Sequence, residues 1–443
     1  MVNRSKSAGI WFFLFGLGSQ MQLIASLSFT ELAVLIMGPF MILTRYRQLK
    51  RDGVTPFLWV SVLMLIGCIA SSIYNRTPLA FAMRGTAAVS VVVCTIPVAH
   101  ALFRKDMNGF RWAVLGSAIS LVLCTFIFRK SVDISRMGDS VEALVSGPLY
   151  WIQRVGSFVN VPALGWYMRV PLAYSIAAPV FMAFFALLTS ASGRAVALYS
   201  FAGAAMCVVA GKSQQKMRRI CKYFWYFVLA AALVLPLVNL GYRYAALSGF
   251  LGEKSRAKYE MQTAAGTSIG KLLLSGRLES FVGLLACRDQ PIMGFGPWAR
   301  DANDYTTEFL IKYGTYEDVA KRAGLAEFYC RLGLSQADFL IPCHSHITEL
   351  WLWYGLPGLI FALYLIFVML RYLRQDCYAV PHLFVYLACT VPTMLWHVFF
   401  SPFAARTGVP FFIVGCLMVR AVRTGKFSLP RSMIEDIILE NKK

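Results

Sequence analysis

Two histidines and two arginines are the side chains in this sequence whose types and positions could do chemistry. His344 and His346 stand where a long polar stretch returns to an apolar run, and Arg277 and Arg194 each follow a glycine. A partly desolvated imidazole is suited to removing a proton from a hydroxyl near neutral pH. A guanidinium stays protonated, and its forked donors match phosphate oxygens. Together these groups suit the transfer of a group from a diphosphate to a hydroxyl, with His344 as the base.

Other interpretations of these residue types stay open. A histidine at a membrane edge is more often structural than catalytic, and His346 could either support His344 or face lipid. The His-x-His pair lacks nearby third and fourth ligands, so no metal site is predicted. A lone arginine in an apolar segment can pair structurally or extend its charge to the membrane surface, and further arginines of this kind are Arg84, Arg154 and Arg406. The Gly294-Phe295-Gly296 turn lacks the strand of a dinucleotide site, and no cofactor is predicted.

The elements that must position these side chains are membrane helices. Of the 443 residues, 58% are hydrophobic and 15% are charged, and the mean hydropathy is +0.60. This balance lies outside the range of soluble domains. Apolar runs of about 20 residues recur along the chain, without the alternation of a transmembrane barrel. The sequence therefore predicts an all-α polytopic membrane protein of about twelve spans.

Two of the predicted spans need an argument. The N-terminus with Arg4 and Lys6 resembles a signal peptide, but no small-residue cleavage site follows, and another apolar run begins at Phe29. The sixth run is broken by glycine and proline and carries Arg154, yet only if it crosses do all basic connections share one side. The predicted spans are 9–27, 29–45, 55–74, 79–103, 110–128, 146–166, 171–189, 194–211, 223–243, 346–371, 378–400 and 407–423.

The net charge of +21 is concentrated in short connections between these spans. Between Tyr244 and Glu349, by contrast, there are twelve acidic and eleven basic residues. This distribution argues against nucleic acid as a partner and predicts a bacterial inner-membrane protein with both termini in the cytoplasm. The predicted regions are spans 1 to 9 (1–243), a large periplasmic loop (244–345), spans 10 to 12 (346–423) and a cytoplasmic tail (424–443).

The large loop is too long and too aromatic to be a passive connection. Residues 261–285 have the pattern of one or two amphipathic helices, and 304–334 that of further short helices. The eleven cysteines include no CxxC pair, and most lie inside apolar runs. If the loop faces an oxidising compartment, a disulfide between Cys330 and Cys343 is the favoured pairing.

Four sequence elements between about residue 190 and residue 363 resemble, in order, motifs of the O-antigen ligase superfamily. One signature of the family is a histidine followed by Asn, Ser or Gln, then nine positions, then GxxG. This sequence matches it with His344 and Ser345, nine further residues, and then Gly355-Leu-Pro-Gly358. GRLESF with Arg277 resembles the Gly-Arg motif of the family. QPIMGFGPW resembles the glycine-containing element that follows it, and SASGRAVAL with Arg194 resembles the membrane Ser-Arg-Gly element.

The resemblance implies a glycosyltransferase that moves a glycan from undecaprenyl pyrophosphate to a lipid A-core acceptor at the periplasmic face. In that reading His344 is the catalytic base and Arg277 and Arg194 bind pyrophosphate. The reaction would invert the anomeric centre without a metal, since the sequence has no Asp-x-Asp motif. Residues expected to support the site are His346, Ser345, Arg300 and Trp298. Expected partners are the carrier-linked glycan, lipid A-core or another glycan acceptor, and membrane lipids.

Related functions remain as alternatives. An O-antigen or exopolysaccharide polymerase would use the same carrier but a second carrier-linked glycan as acceptor, and a protein O-oligosaccharyltransferase is a third variant. A polysaccharide transporter or flippase would require inverted repeats and charges at the bilayer midplane, which the sequence does not show. For a transferase, we expect the large loop to exclude water and to hold the acceptor sugar on aromatic faces such as Trp298, Tyr305 and Tyr313.

Overall fold

The chain is mostly helical in the parts that its computed structural model describes. Four helices in these parts are long and apolar enough to cross a membrane. The all-α class is therefore confirmed, whereas the count of about twelve spans stays a prediction. The structure describes residues 2–19, 21–24, 27–124, 226, 240–241, 243–250, 256, 259, 278–313, 340–343, 345–376, 379–380, 390–391, 394–399, 403 and 406–428.

The helices match the predicted apolar runs to different degrees. The span predicted over 55–74 agrees with its helix at both ends, and the helices that begin at Phe29 and Leu79 extend six and two residues beyond their predicted ends. The span predicted over 346–371 is instead divided, since a separate helix, His346–Tyr354, precedes the candidate span Leu356–Asp376. The helices are α1 (Val2–Leu17), α2 (Phe29–Arg51), α3 (Thr55–Tyr74), α4 (Leu79–Lys105), α5 (Phe110–Val122), α6 (Leu278–Asp289), α7 (Tyr305–Tyr313), α8 (His346–Tyr354), α9 (Leu356–Arg371) and α10 (Gly408–Arg423). A π-helical segment, Tyr372–Asp376, extends α9.

The first span does not extend over 9–27 as predicted, because α1 ends at Leu17. Two short antiparallel strands, β1 (Gln22–Ile24) and β2 (Leu27–Ser28), separate it from α2. The Thr30 hydroxyl donates to the Phe15 carbonyl at 2.6 Å and supplies a partner for the last turn of α1. Ser28 and Glu31 form a capping box that fixes the start of α2. The hydrophobic run hides this break because the strands are also apolar.

The helices pack around a core rich in phenylalanine. Phe103 lies 4.9 Å from Phe411 and 5.8 Å from Phe12, measured between ring centroids, so three helices meet there. Helices α1 and α5 approach even more closely. A Cβ atom on Gly16 would lie 1.9 Å from the Ala113 carbonyl oxygen, so only glycine permits this separation. Aromatic area and close helix contact thus hold the N-terminal helix against the rest of the bundle.

One end of the bundle, here called the basic end, gathers short basic connections around buried carboxylates. The fully buried Asp52 accepts from Arg104 Nε at 2.6 Å and lies 2.8 Å from His100 Nε2. Asp376 forms an ion pair with Arg423, and the Arg104 guanidinium lies 5.3 Å from the Phe427 ring centroid. The ends of α2, α4, α9 and α10 therefore meet through charged contacts, as the clustering of basic connections on one side predicts.

Replacing Asp52 by asparagine is expected to destabilise the bundle by about 3 kcal/mol, because the amide cannot neutralise Arg104. The measurement is the thermal unfolding midpoint of the detergent-solubilised protein. Arg51→Gln is the matched control, since the Arg51 side chain also contacts Asp52 but is 59% exposed, and an exposed pair contributes little. Equal midpoints for the two variants would show that the buried Asp52 contacts are not important for stability.

Candidate functional site

The described parts of three segments that resemble family motifs meet at the opposite end of the bundle, here called the loop end; the segment around Arg194 lies outside the described residues. Among the predicted site residues, the structure describes Ser345, His346, Trp298 and Arg300, whereas His344, Arg277 and Arg194 lie outside the described residues. Arg277 immediately precedes α6 in the sequence, and His344 immediately precedes Ser345, the N-cap of α8. The geometry of α6 and α8 therefore bears on both predicted positions.

Helices α6 and α8 run side by side in the same direction. Gly283 of α6 faces the segment that enters α8: a Cβ atom there would lie 2.4 Å from Cys343 Sγ and 2.6 Å from Thr348 Cγ2. Further along, the Phe295 amide donates to the Leu352 carbonyl at 2.6 Å. Later residues of the first segment thus contact later residues of the second. The two helices therefore run parallel.

The loop of residues 290–298, here called the glycine loop, closes the C-terminal end of α8. The Gly296 amide donates to the Trp353 carbonyl at 3.0 Å, next to the Phe295 bond, and the Leu356 amide donates back to Ile292 at 3.0 Å. These bonds supply partners for carbonyls that a helix end leaves unsatisfied. Gly355 then separates α8 from α9 with a φ of +64°, at the bend that Gly355, Pro357 and Gly358 predict.

The end of α3 completes this junction. Asn75 donates its side-chain amide to the Gly294 carbonyl at 2.8 Å, and the Ser71 hydroxyl donates to the Trp353 carbonyl at 2.9 Å. One turn earlier, Gly67 lies against Pro357 of α9. A membrane helix from the N-terminal half of the chain thus fixes two motif segments that lie more than 200 residues away.

The first turns of α8 contact residues within 397–399 together with Phe403 and Arg406. Ser345 donates its hydroxyl to the Val398 carbonyl at 3.1 Å, and Glu349 accepts from the Phe403 amide at 2.6 Å. Glu349 and Arg406 are 5% and 7% exposed, and the Arg406 charge acts on Glu349. His346 is also buried, with its ring 5.1 Å from that of Phe403 between centroids. His346 is therefore enclosed by protein and does not face lipid.

Trp298 lies in an aromatic cluster at the start of α4. Its ring centroid is 5.0 Å from that of Trp353 and 6.1 Å from that of Phe81. The Arg84 guanidinium lies 4.7 Å from the Trp298 ring centroid. Arg300, two residues later, is exposed and pairs with Leu340 in an isolated β-bridge. Trp298 thus holds an arginine, whereas Arg300 remains accessible on the loop.

Tyr305 does not offer its face to a sugar, which contradicts its predicted role. Its side chain is 2% exposed, and its hydroxyl donates to Asp289 at 2.8 Å. This hydrogen bond, together with Arg288, lowers the pKa of Asp289, and burial raises the pKa of Tyr305. Asp301 accepts from the Tyr305 amide at 2.7 Å and so caps α7. Tyr305 is therefore part of the small core between α6 and α7.

Sequence reasoning missed the roles of Glu349, Arg84 and Arg406. Glu349 stands in the first turn of a helix, where acidic residues are common because they complement the helix dipole, so nothing marked it as buried. The arginines were identifiable as costly charges within apolar segments. Their contacts join segments far apart in sequence, and no local pattern encodes such contacts.

The arrangement brings together helices α6 and α8, an aromatic cluster carrying an exposed arginine, and the ends of α3 and α4 at the loop end. Such a junction presents a cation, held by an aromatic ring, at the edge of an apolar bundle. No protein-family model matches the sequence, and no curated protein matches it.

Proposed function

We propose that the protein is a membrane glycosyltransferase that moves a glycan from undecaprenyl pyrophosphate to a lipid A-core acceptor at the periplasmic face of a bacterial inner membrane. The observation that carries the proposal is the junction of the glycine loop with the end of α8. Two segments that resemble motifs of one enzyme superfamily, separated by more than 40 residues, share backbone hydrogen bonds there.

The parallel course of α6 and α8 also supports the proposal. A glycosyl transfer from a diphosphate requires a base for the acceptor and positive charge for the leaving group within one site. The helices that follow Arg277 and His344 begin at the same end of a packed pair, as such a site requires.

In the proposed reaction, His344 accepts the proton of the acceptor hydroxyl as that oxygen attacks the anomeric carbon. The bond between this carbon and the phosphate oxygen breaks, and undecaprenyl pyrophosphate leaves with the bonding electrons. Arg277 and Arg194 neutralise the charge that develops on the leaving group. Attack opposite the leaving group inverts the anomeric centre. Ser345 and His346 hold the start of α8 through their contacts with 397–406.

His344→Ala and Arg277→Ala are each expected to reduce transfer by about 10²-fold or more, since each removes a group that acts in the transition state. The measurement uses inner membranes supplied with carrier-linked glycan and lipid A-core, with capped lipopolysaccharide separated on a gel. Carrier-linked glycan should accumulate as capping is lost. Protein levels are compared in the same membranes.

Two control variants test whether the loss of transfer is specific to His344 and Arg277, or follows from removing any arginine or any histidine. Arg288→Ala removes an arginine of α6 whose side chain is 70% exposed, and His382→Ala removes a histidine outside the motif. Both should cap normally. Normal capping by His344→Ala and Arg277→Ala would reject the mechanism. Longer carrier-linked chains without capping by the unmutated protein would identify a polymerase, and glycan translocation without transfer would identify a transporter.

A further inference from the structure

Arg84 is an exposed cation at the loop end that the proposed reaction has not used. It lies in the second turn of α4, and its guanidinium is held 4.7 Å from the Trp298 ring centroid. Among the described residues, Arg84 interacts only with this ring, and no carboxylate pairs with it. An arginine in this setting keeps hydrogen-bond donors available for an anionic ligand.

The aromatic contact fixes Arg84 in place. Trp298 is itself held by Trp353 and Phe81, and the preceding residue, Pro297, lies against Gly85, where a Cβ atom would be 2.5 Å from Pro297 Cγ. An arginine that only reaches toward bulk lipid headgroups needs no such support. Here the glycine loop, α4 and the end of α8 meet around one guanidinium, as a preorganised binding residue requires.

The surface beside Arg84 is apolar and faces outward. Leu79 and Met83, one turn apart on α4, are 75% and 64% exposed. At the end of the preceding helix, Ile73 and Tyr74 are 73% and 64% exposed. A cation bordered by exposed hydrocarbon suits an amphiphilic ligand with a phosphate head and an apolar chain.

We propose that Arg84, supported by Trp298, binds the phosphate head of the polyprenyl pyrophosphate carrier; this inference rests on the proposed function. Trp298 contacts Trp353 near the end of α8, while Ser345 caps its beginning, about 12 Å away at 1.5 Å per residue. The sugar-linked phosphate and the anomeric carbon bonded to it would then lie toward the helix start that follows His344. Arg84 would accordingly contribute to donor binding through the lipid-linked phosphate, one phosphate away from the bond that breaks.

The test measures binding of undecaprenyl pyrophosphate, without sugar, to the full-length protein in nanodiscs of zwitterionic phospholipid. Arg84→Gln is expected to weaken binding about tenfold, the usual effect of losing a hydrogen bond to a charged group. Trp298→Leu should weaken it less, because the arginine remains but is no longer held. Arg76→Gln is the matched control, since it removes an exposed arginine from the neighbouring α3–α4 connection.

Each outcome has a defined meaning. Binding unchanged by Arg84→Gln would overturn the site, as would equal weakening by Arg76→Gln. The proposal requires that Arg84→Gln weaken the binding of phosphatidylglycerol less than it weakens the binding of undecaprenyl pyrophosphate. Equal weakening would mean that Arg84 contacts phospholipid headgroups in general, and the proposal would be wrong. Failure of the unmutated protein to bind the carrier would instead count against the proposed function. In transfer assays, Arg84→Gln should raise the KM for the carrier-linked donor and leave kcat largely unchanged.

Discussion

Gly355→Ala is expected to destabilise the protein by more than about 3 kcal/mol and to abolish transfer. The residue has a φ of +64° and a ψ of −148°, a backbone conformation that is nearly restricted to glycine and costs other residues about 1–3 kcal/mol. In addition, a Cβ atom there would lie 1.9 Å from the Ile292 carbonyl oxygen. Because the clash is with backbone, the glycine loop must move away from the end of α8.

The variant should therefore unfold at a lower temperature in detergent and lose capping activity even where it still reaches the membrane. Gly425→Ala is the matched control. Gly425 has a similar φ of +69°, but nothing lies within 4 Å of the position of a Cβ atom. This control places a side chain at a positive φ without the clash. Similar unfolding temperatures for the two variants would show that close approach of the glycine loop is unimportant.

The extents of most helices could be predicted from the sequence because local chemistry determines them. The span over 55–74 follows from an apolar run with Pro56 at its start, where proline is well tolerated, and from polar residues after Tyr74. The bend at Gly355 likewise follows from the neighbouring glycine and proline. The end of α1 could not be predicted, since Thr30, 13 residues after Leu17, supplies part of its cap.

The site was predictable as a set of motifs but not as a geometry. The Gly294-Phe295-Gly296 turn alone says little about function. In the structure, Gly294 and Gly296 have φ values of +68° and +82°, and these conformations allow the loop to approach α8. The partner of this turn lies over 50 residues later in the chain. A sequence pattern indicates that a turn is present, whereas tertiary packing determines which helix end it closes.

The aromatic residues of the loop also have environments that the sequence alone does not predict. Trp298 and Tyr305 were both expected to hold a sugar, since exposed aromatic rings on a polar loop often bind ligands. Tyr305 is instead buried between α6 and α7, and Trp298 contacts Arg84. The sequence identifies these rings as large apolar surfaces, but burial depends on helices whose packing has no local signal. In the proposed site, the residue expected to contact the ligand is therefore Arg84, which the Trp298 ring holds, and not either ring.

Glu349→Leu is expected to destabilise the protein by about 3–5 kcal/mol, the usual cost of removing one member of a buried charged contact. The substitution removes the acceptor of the Phe403 amide and the negative charge that acts on the buried Arg406. Glu349→Gln should cost less, because its amide oxygen can still accept from Phe403. Glu308→Gln, on an exposed position of α7, is the control for loss of one carboxylate.

A double-mutant cycle with Arg406→Leu separates the charge pair from the hydrogen bond. If Glu349 acts mainly by balancing Arg406, the double variant should recover part of the unfolding temperature that Glu349→Leu loses. Additive losses would mean instead that the bond to Phe403 carries the effect. In both cases α8 loses one of its contacts with Phe403, so glycan transfer should fall along with stability. Full activity in Glu349→Leu would show that the start of α8 needs no such attachment to position the residue that precedes it.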